Sequence, residues 1–335
     1  MSHRDVVNKA WDQNLLYSVL IELTYRCNLD CFFCYNDVGQ KGTPLSLEQY
    51  QGFLRDLADL QVMELTLSGG EPLANPDFFG IGATARELGF VVRVKSNGHA
   101  LGGRLAQRIK DEVDPFVIDV SLHGATPETH DRQTRIPGSF DKLIANLKEM
   151  KSIGLRLKLN ATLTRWNEHE IEEMAAIGRS LELAMAMFPT VTPRDDGDNE
   201  PLSIAPSSDA VRQLYEFRYR DAPVEDDAST AESDDATTES DKNCGAGSSG
   251  VAVDPFGEVY PCVQWRRSIG NLHDRSIKQI WAGSDDLDEI RTLTIQAKER
   301  KQALGAVGAQ MNFCLGLSEE KVGDPLAIDP GARRE

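Results

Sequence analysis

Cysteine is scarce in this chain, with 6 in 335 residues, and so are cations, with 36 Lys and Arg against 53 Asp and Glu for a net charge of −17. Thin cysteine usage in a chain this long, with no charged-then-apolar leader, excludes a disulfide-stapled secreted scaffold, because such scaffolds are short and cysteine-dense. The shortage of Lys and Arg excludes nucleic acid as a partner, since phosphate binding needs them clustered. No apolar run reaches the roughly 20 residues a membrane span requires. Reduced cysteines without an export signal point to the cytoplasm.

At 37.0 kDa and 40% hydrophobic residues, the chain can bury one large core and a smaller appendage. Residues 18–222 alternate strand and helix patterns: strands at Ser18–Thr24, Val62–Leu67, Phe90–Lys95, Phe116–Ser121, Leu155–Leu163 and Ala184–Thr190. Helices are expected from Ser46, after Pro76, over Gly102–Asp111, Ser139–Ile153 and Asn167–Leu183, and near Ser207–Tyr219. Ser46 and Gln49 have the spacing of a capping box, with Tyr50, Phe53, Leu54 and Leu57 on the apolar face behind them. Six βα units argue for a parallel sheet, doubly wound or barrel, with ligands gathered at the carboxyl ends of its strands. Residues 1–17 form a lead-in. Residues 223–243, rich in carboxylates, read as a disordered acidic linker, and 244–335 as a second domain.

Three of the six cysteines, Cys27, Cys31 and Cys34, fall within eight residues directly after the first strand pattern. Three soft thiolates hold an iron–sulfur cubane while leaving its fourth iron open, and accident is a poor explanation of the spacing. Structural zinc would want a fourth Cys or His nearby, and His99 and His123 lie far along the chain. Polar, Gly-rich turns sit at the expected strand ends: Ser68-Gly69-Gly70-Glu71-Pro72, then Ser96-Asn97-Gly98, then Ser121-Leu122-His123-Gly124. Paired glycines let backbone approach a ligand, and Glu71 offers an anionic acceptor for an ammonium group.

The Cys-x3-Cys-x2-Cys spacing, with Phe33 before the last Cys, resembles the signature of the radical S-adenosylmethionine (SAM) superfamily. The resemblance implies an α/β fold, a (β/α)6 partial TIM barrel, with a catalytic [4Fe–4S] cluster on Cys27, Cys31 and Cys34 and SAM on its open iron. It implies further that Gly69, Gly70, Glu71 and Pro72 hold the methionyl amino group, with Ser96 and Asn97 beside them. Ser121 would contact ribose and methionine, Arg135 (or Arg132, one register away) the SAM carboxylate, and Leu163 the adenine. His123 replaces the family's usual Asp and either positions substrate or moves a proton, or serves only as a hydrogen-bonding substitute.

In the second domain, Val251–Asp254 and Glu258–Tyr260 read as a β-hairpin about Gly257 that carries Cys262 back toward Cys244, with a short helix ending near Trp281. Together with Cys314, this is similar to the SPASM and twitch extensions that carry auxiliary clusters. Those domains carry more thiols than the three here, so the resemblance implies one auxiliary [4Fe–4S] cluster on Cys244, Cys262 and Cys314 with a non-Cys fourth ligand. A hairpin-plus-helices fold without a cluster, or a zinc site, stays open. Val263 and Gln264 stand where sulfatase-maturating members place a basic Asp, which counts against that activity, while Pro189–Asp198 resembles segments of pyrroloquinoline-quinone peptide cyclases.

The resemblance implies generation of a 5′-deoxyadenosyl radical and hydrogen abstraction from a ribosomally made peptide. An electron donor such as flavodoxin or ferredoxin, and a separate peptide-recognition protein, would be its partners. Alternatives are a small-molecule substrate (a sugar, haem or other cofactor precursor) and a non-catalytic cluster carrier. The retained Glu71, Ser121 and glycines argue against the carrier.

Overall fold

The computed structural model describes residues 3–220, 240–305 and 313–327. Most of the expected acidic linker lies outside the described residues. The chain forms two compact units: residues 21–51 with 65–221, and residues 1–20 with 52–64 and 222–335.

The βα portion of the chain is built on β1 (Ser18–Glu22), β2 (Glu64–Ser68), β3 (Val91–Ser96), β4 (Val117–Ser121), β5 (Leu157–Thr162) and β6 (Met185–Phe188), neighbours in that order. The β3–β4, β4–β5 and β5–β6 ladders are parallel. Between the strands lie α2 (Leu47–Asp59), α3 (Phe78–Glu87), α4 (Gly103–Arg108), α5 (Pro127–Thr134), α6 (Ser139–Ser152) and α7 (Ile171–Ser180), and α8 (Ser208–Arg220) follows β6. This is an α/β fold of the partial TIM barrel kind. Side chains alternate across each strand, so one face takes Val92, Val94, Ile118, Val120, Leu159 and Ala161, all 3% exposed or less. The other face carries Arg93, Lys95, Asp119, Ser121, Lys158 and Asn160.

The capping box at the start of α2 is formed: Gln49 N donates to Ser46 Oγ at 3.2 Å and Ser46 N to Gln49 Oε1 at 2.9 Å. Helix α5 was not expected. It starts where Thr126 accepts from Thr129 N, with Pro127 in the first turn, and it ends at Arg135, which takes φ +58°. Asp131 within it accepts from Gly138 N at 2.6 Å and Phe140 N at 2.8 Å, and so caps α6 from outside.

The second unit holds α1 (His3–Gln13), the hairpin β7 (Gly250–Val253) and β8 (Glu258–Tyr260), β9 (Gly270–Asn271), α9 (Ile277–Ala282), α10 (Asp285–Ala303) and α11 (Leu315–Val322). Register Ala252↔Tyr260 makes the hairpin antiparallel, as its sequence implied, and Asp254 Oδ1 closes the turn by accepting from Phe256 N and Glu258 N. The lead-in is a helix: Lys242 Nζ reaches Asn14 Oδ1 at 2.6 Å, and Trp281 Nε1 reaches Asn14 O at 3.0 Å. Among the described residues no helix is long and apolar enough to cross a membrane.

Candidate active site

The cysteine loop leaves β1 and is pinned at both ends. Gly70 N donates to Thr24 O at 2.7 Å and Glu71 N to Arg26 O at 2.9 Å. A Cβ on Gly70 would stand 2.6 Å from Arg26 O and 2.7 Å from Tyr25 O. The glycine pair thus admits the backbone of the cysteine loop itself. At the far end, Asp30 N and Phe32 N donate to Thr134 O and Gln133 O at the close of α5, and Asp195 N donates to Tyr35 O at 2.8 Å. Arg194 Nη2 adds a bond to Phe32 O at 3.4 Å. Beneath the loop, Glu22 is wholly buried and accepts from Tyr25 OH at 3.2 Å and Tyr35 OH at 3.0 Å. Glu22 and Arg194 escaped sequence reasoning, although the segment holding Arg194 was singled out.

The three thiols are set close enough to act on one another. Burial, and then repulsion from Cys34 and Cys27, holds Cys31 well above the usual thiol range. Burial chiefly pushes Cys34 up to about 11, with the backbone N–H of Asn36 and the charge of Arg194 opposing. Cys27 Sγ accepts from Leu29 N at 3.4 Å and from Asn97 Nδ2 at 3.5 Å. Closely set, mutually repelling sulfurs, Cys27 already faced by N–H donors, suit thiolates bound to a cationic iron centre. Among the described residues, no three of His, Cys, Asp and Glu are placed to hold a single metal ion.

Glu71 ties the second strand turn to the third. Its carboxylate accepts from Ser96 Oγ at 3.0 Å, Asn97 N at 3.0 Å and Leu73 N at 3.3 Å, the last as Pro72 opens a short 3-10 turn. Burial raises its pKa to about 7 against the pull of those donors. Asn97 then bridges to the cysteine loop through Asn28 Oδ1 at 2.8 Å. Ser96 and Asn97 therefore orient Glu71 and Cys27.

Ser121 ends β4 half-buried, in register with Asn160. His123 is buried. Its Nδ1 accepts from Thr162 N at 3.3 Å, which leaves the ring proton on Nε2, and its ring lies edge-on to Phe33 at 4.5 Å. Burial, with repulsion from His130, lowers its pKa to about 3, so the imidazole is neutral at ordinary pH and fits the role of hydrogen-bonding substitute. Arg135 pairs with Asp30 at 3.3 Å and lies over Phe32, while Arg132 lies over Trp166. Leu163 is fully buried with Ala161, Met174 and Leu214 in the helix-facing core, because the pleat that turns Ala161 outward turns Leu163 the same way.

The second trio is assembled by three contacts. Asn243 Nδ2 reaches Phe313 O at 2.7 Å, joining the residues before Cys244 and Cys314. Gly247 N reaches Pro261 O at 3.2 Å. Gly316, where a Cβ would strike the backbone of Gln264, lets α11 abut the Cys262 loop. Burial chiefly raises the Cys262 thiol, with Cys314 and Cys244 adding repulsion and Gln264 and Trp265 aiming N–H groups at it.

Residues 21–177 match the radical SAM superfamily, and residues 244–305 match the SPASM iron–sulfur cluster-binding domain. The chain carries a radical SAM domain followed by a SPASM domain. Its cofactors are a [4Fe–4S] cluster and SAM, and its SPASM domain is of the kind that carries auxiliary clusters. It is similar to the mycofactocin maturase MftC of Mycobacterium tuberculosis, 29% identical over 311 residues, 86% of this chain and 74% of that protein. It is also similar to the PqqA peptide cyclase of Ruegeria pomeroyi, 29% identical over 332 residues, 95% of this chain and 87% of that one. Its fold resembles that of Streptococcus suis SuiB bound to its precursor peptide SuiA, with a TM-score of 0.66 at 14% identity, covering 86% of this chain and 69% of that one.

Proposed function

We propose that this chain is a radical SAM enzyme that modifies a ribosomally made peptide. The reading is supported by relatives named as a maturase and a peptide cyclase, each matched over more than four fifths of this chain. One observation in the site carries the residue assignments: Gly70, Glu71 and Asn97 join the thiol loop to a single buried carboxylate. Cys27, Cys31 and Cys34 would hold the catalytic cluster, and Glu71 would receive the ammonium group of SAM, with Ser121 contacting its methionyl and ribosyl parts.

When bound, the cluster and SAM supply a 5′-deoxyadenosyl radical that takes hydrogen from substrate. The chain's own residues do the positioning. Tyr25 and Tyr35, both hydrogen-bonded to the buried carboxylate of Glu22, support the cysteine loop from beneath. Ser96 and Asn97 hold both carboxylate oxygens of Glu71 before any ligand arrives, so its orientation is set in advance. Phe33, beside Cys34 in sequence, is held edge-on by His123. Cys244, Cys262 and Cys314 fit one auxiliary [4Fe–4S] cluster that would receive the substrate's electron. A flavodoxin- or ferredoxin-like donor, a peptide-recognition protein and a cytoplasmic setting complete the proposal.

The test is anaerobic. Reconstituted, dithionite-reduced protein given SAM forms 5′-deoxyadenosine, and the Cys27→Ala/Cys31→Ala/Cys34→Ala variant forms none. Addition of the correct precursor peptide changes that peptide's mass. Absence of 5′-deoxyadenosine from fully loaded wild-type protein overturns the reading.

A further inference from the structure

We infer that Lys95 and Lys158 form a carboxylate-binding subsite on the inner face of the parallel sheet, so that the substrate presents an acidic group there. This rests on the peptide-modifying reading and deepens it by naming a chemical feature of the peptide.

The subsite follows from register. Lys95 on β3 pairs with Asp119 on β4, and Asp119 pairs with Lys158 on β5, so the three side chains occupy one row on one face. The flanking residues Val94, Val120 and Leu159 are wholly buried on the opposite, helix-facing side. The row lies one pleat repeat, about 7 Å, below the row of Ser121 and Asn160 at the strand ends. The two lysines stand two strand spacings apart, about 10 Å, a gap that two long flexible stems can close around one carboxylate.

The carboxylate between them is already committed. Arg93 holds Asp119 through Nη2 to Oδ2 at 3.1 Å and Nε to the same oxygen at 3.3 Å, with Asp119 only 3% exposed. Strands β3 to β5 thus turn three cations and one anion to this face, an excess of two positive charges in a chain of net charge −17. Lys110, Lys151 and Lys278 are ion-paired with Asp114, Glu182 and Asp56, while Lys9, Lys41, Lys142 and Lys148 are exposed surface residues. Among the described residues, Lys95 and Lys158 have neither a hydrogen-bond nor an ion-pair partner, and Lys95 is exposed. A substrate carboxylate arriving between them would meet two cations and an Asp119 already neutralised by its guanidinium.

Two sources carry this chemistry, an Asp or Glu side chain and a free C-terminus, and the test separates them. Full-length reconstituted protein with SAM is titrated with three glycine pentapeptides: one capped at both ends with Glu at its centre, one acetylated with a free C-terminus, and one capped with Gln at its centre. At least one acidic probe binds about fivefold or more tightly than the Gln probe, and which one does so identifies the source. That advantage falls below about twofold in Lys95→Met/Lys158→Met and persists in Lys95→Arg/Lys158→Arg. Should the methionine pair not fold, Lys158→Gln alone must shrink it. Equal binding of all three probes to the wild type, or an advantage that survives loss of the lysine charges, overturns the inference. If wild-type protein forms 5′-deoxyadenosine while the probes bind alike, only the subsite falls. If it forms none, the peptide-modifying reading falls whatever the probes do.

Discussion

Glu71 shows how a motif residue acquires its function from its neighbours. A carboxylate buried this deeply resists ionisation, and its folded-state pKa of about 7 lies above the ordinary 4.5. The folded protein therefore holds a proton that the unfolded chain releases. Stability from this group is complete below pH 4.5 and is lost as pH rises through 7, a change of about 3 kcal/mol in ligand-free protein. Glu71→Gln should flatten that part of the denaturation profile between pH 5 and 7.5 while weakening SAM binding by tenfold or more; urea midpoints against pH, and SAM titration, check the two arms. Gly70→Ala tests the loop in a different way. Its Cβ would meet the carbonyls of Tyr25 and Arg26, so the variant should retain its helical circular dichroism yet lose most of its catalytic iron. Gly52→Ala, in a helix with nothing within 4 Å, should be neutral or stabilising by about 0.5–1 kcal/mol. The cysteine spacing and the Gly-Gly-Glu turn were legible because their chemistry is local. Glu22, Asn28 and Arg194 were not, because each acquires its meaning from residues that only folding brings near.

At the scale of elements, the strands and the capped helix α2 were readable from alternation and from Ser46 with Gln49. Helix α5 was not, because Pro127–Thr134 is short and polar, with no apolar stripe to mark a period. Helix α10 could have been found: Leu287, Ile290, Thr294 and Ala297, its buried residues, recur at intervals of three and four. Once α5 is seen, its link to α6 becomes a testable joint. Asp131 supplies acceptors to Gly138 N, Ser139 Oγ and Phe140 N, donors that would otherwise be left at the start of α6. Those bonds hold its carboxyl below the usual range against the opposing effect of burial. Asp131→Ala should cost about 1–2 kcal/mol, with Asp131→Asn recovering part of it, as read from the urea midpoint at an unchanged m-value. Because α5 also receives the N–H groups of Asp30 and Phe32, the alanine variant should lose its catalytic cluster to a chelator faster than wild type.

For the whole molecule, residues 3–20 fold with the C-terminal unit although more than two hundred positions separate them in sequence. No local pattern announces such a pairing, which is why the opening segment read only as a lead-in. Its consequence can be measured. Trp11 sits where a Cβ on Gly245 would meet its indole, directly beside Cys244, and its carbonyl is reached by Lys242. Removing a half-buried indole takes packing from the Cys244 turn and should cost about 2 kcal/mol. In a Cys27→Ala/Cys31→Ala/Cys34→Ala background, where only the second trio can bind iron, Trp11→Ala should therefore speed release of the remaining iron to a chelator. In the reverse background, Cys244→Ala/Cys262→Ala/Cys314→Ala, the same substitution should leave iron release at the wild-type rate, because Trp11 belongs to the other unit. Equal acceleration in both backgrounds would mean that the two units do not stabilise their clusters separately.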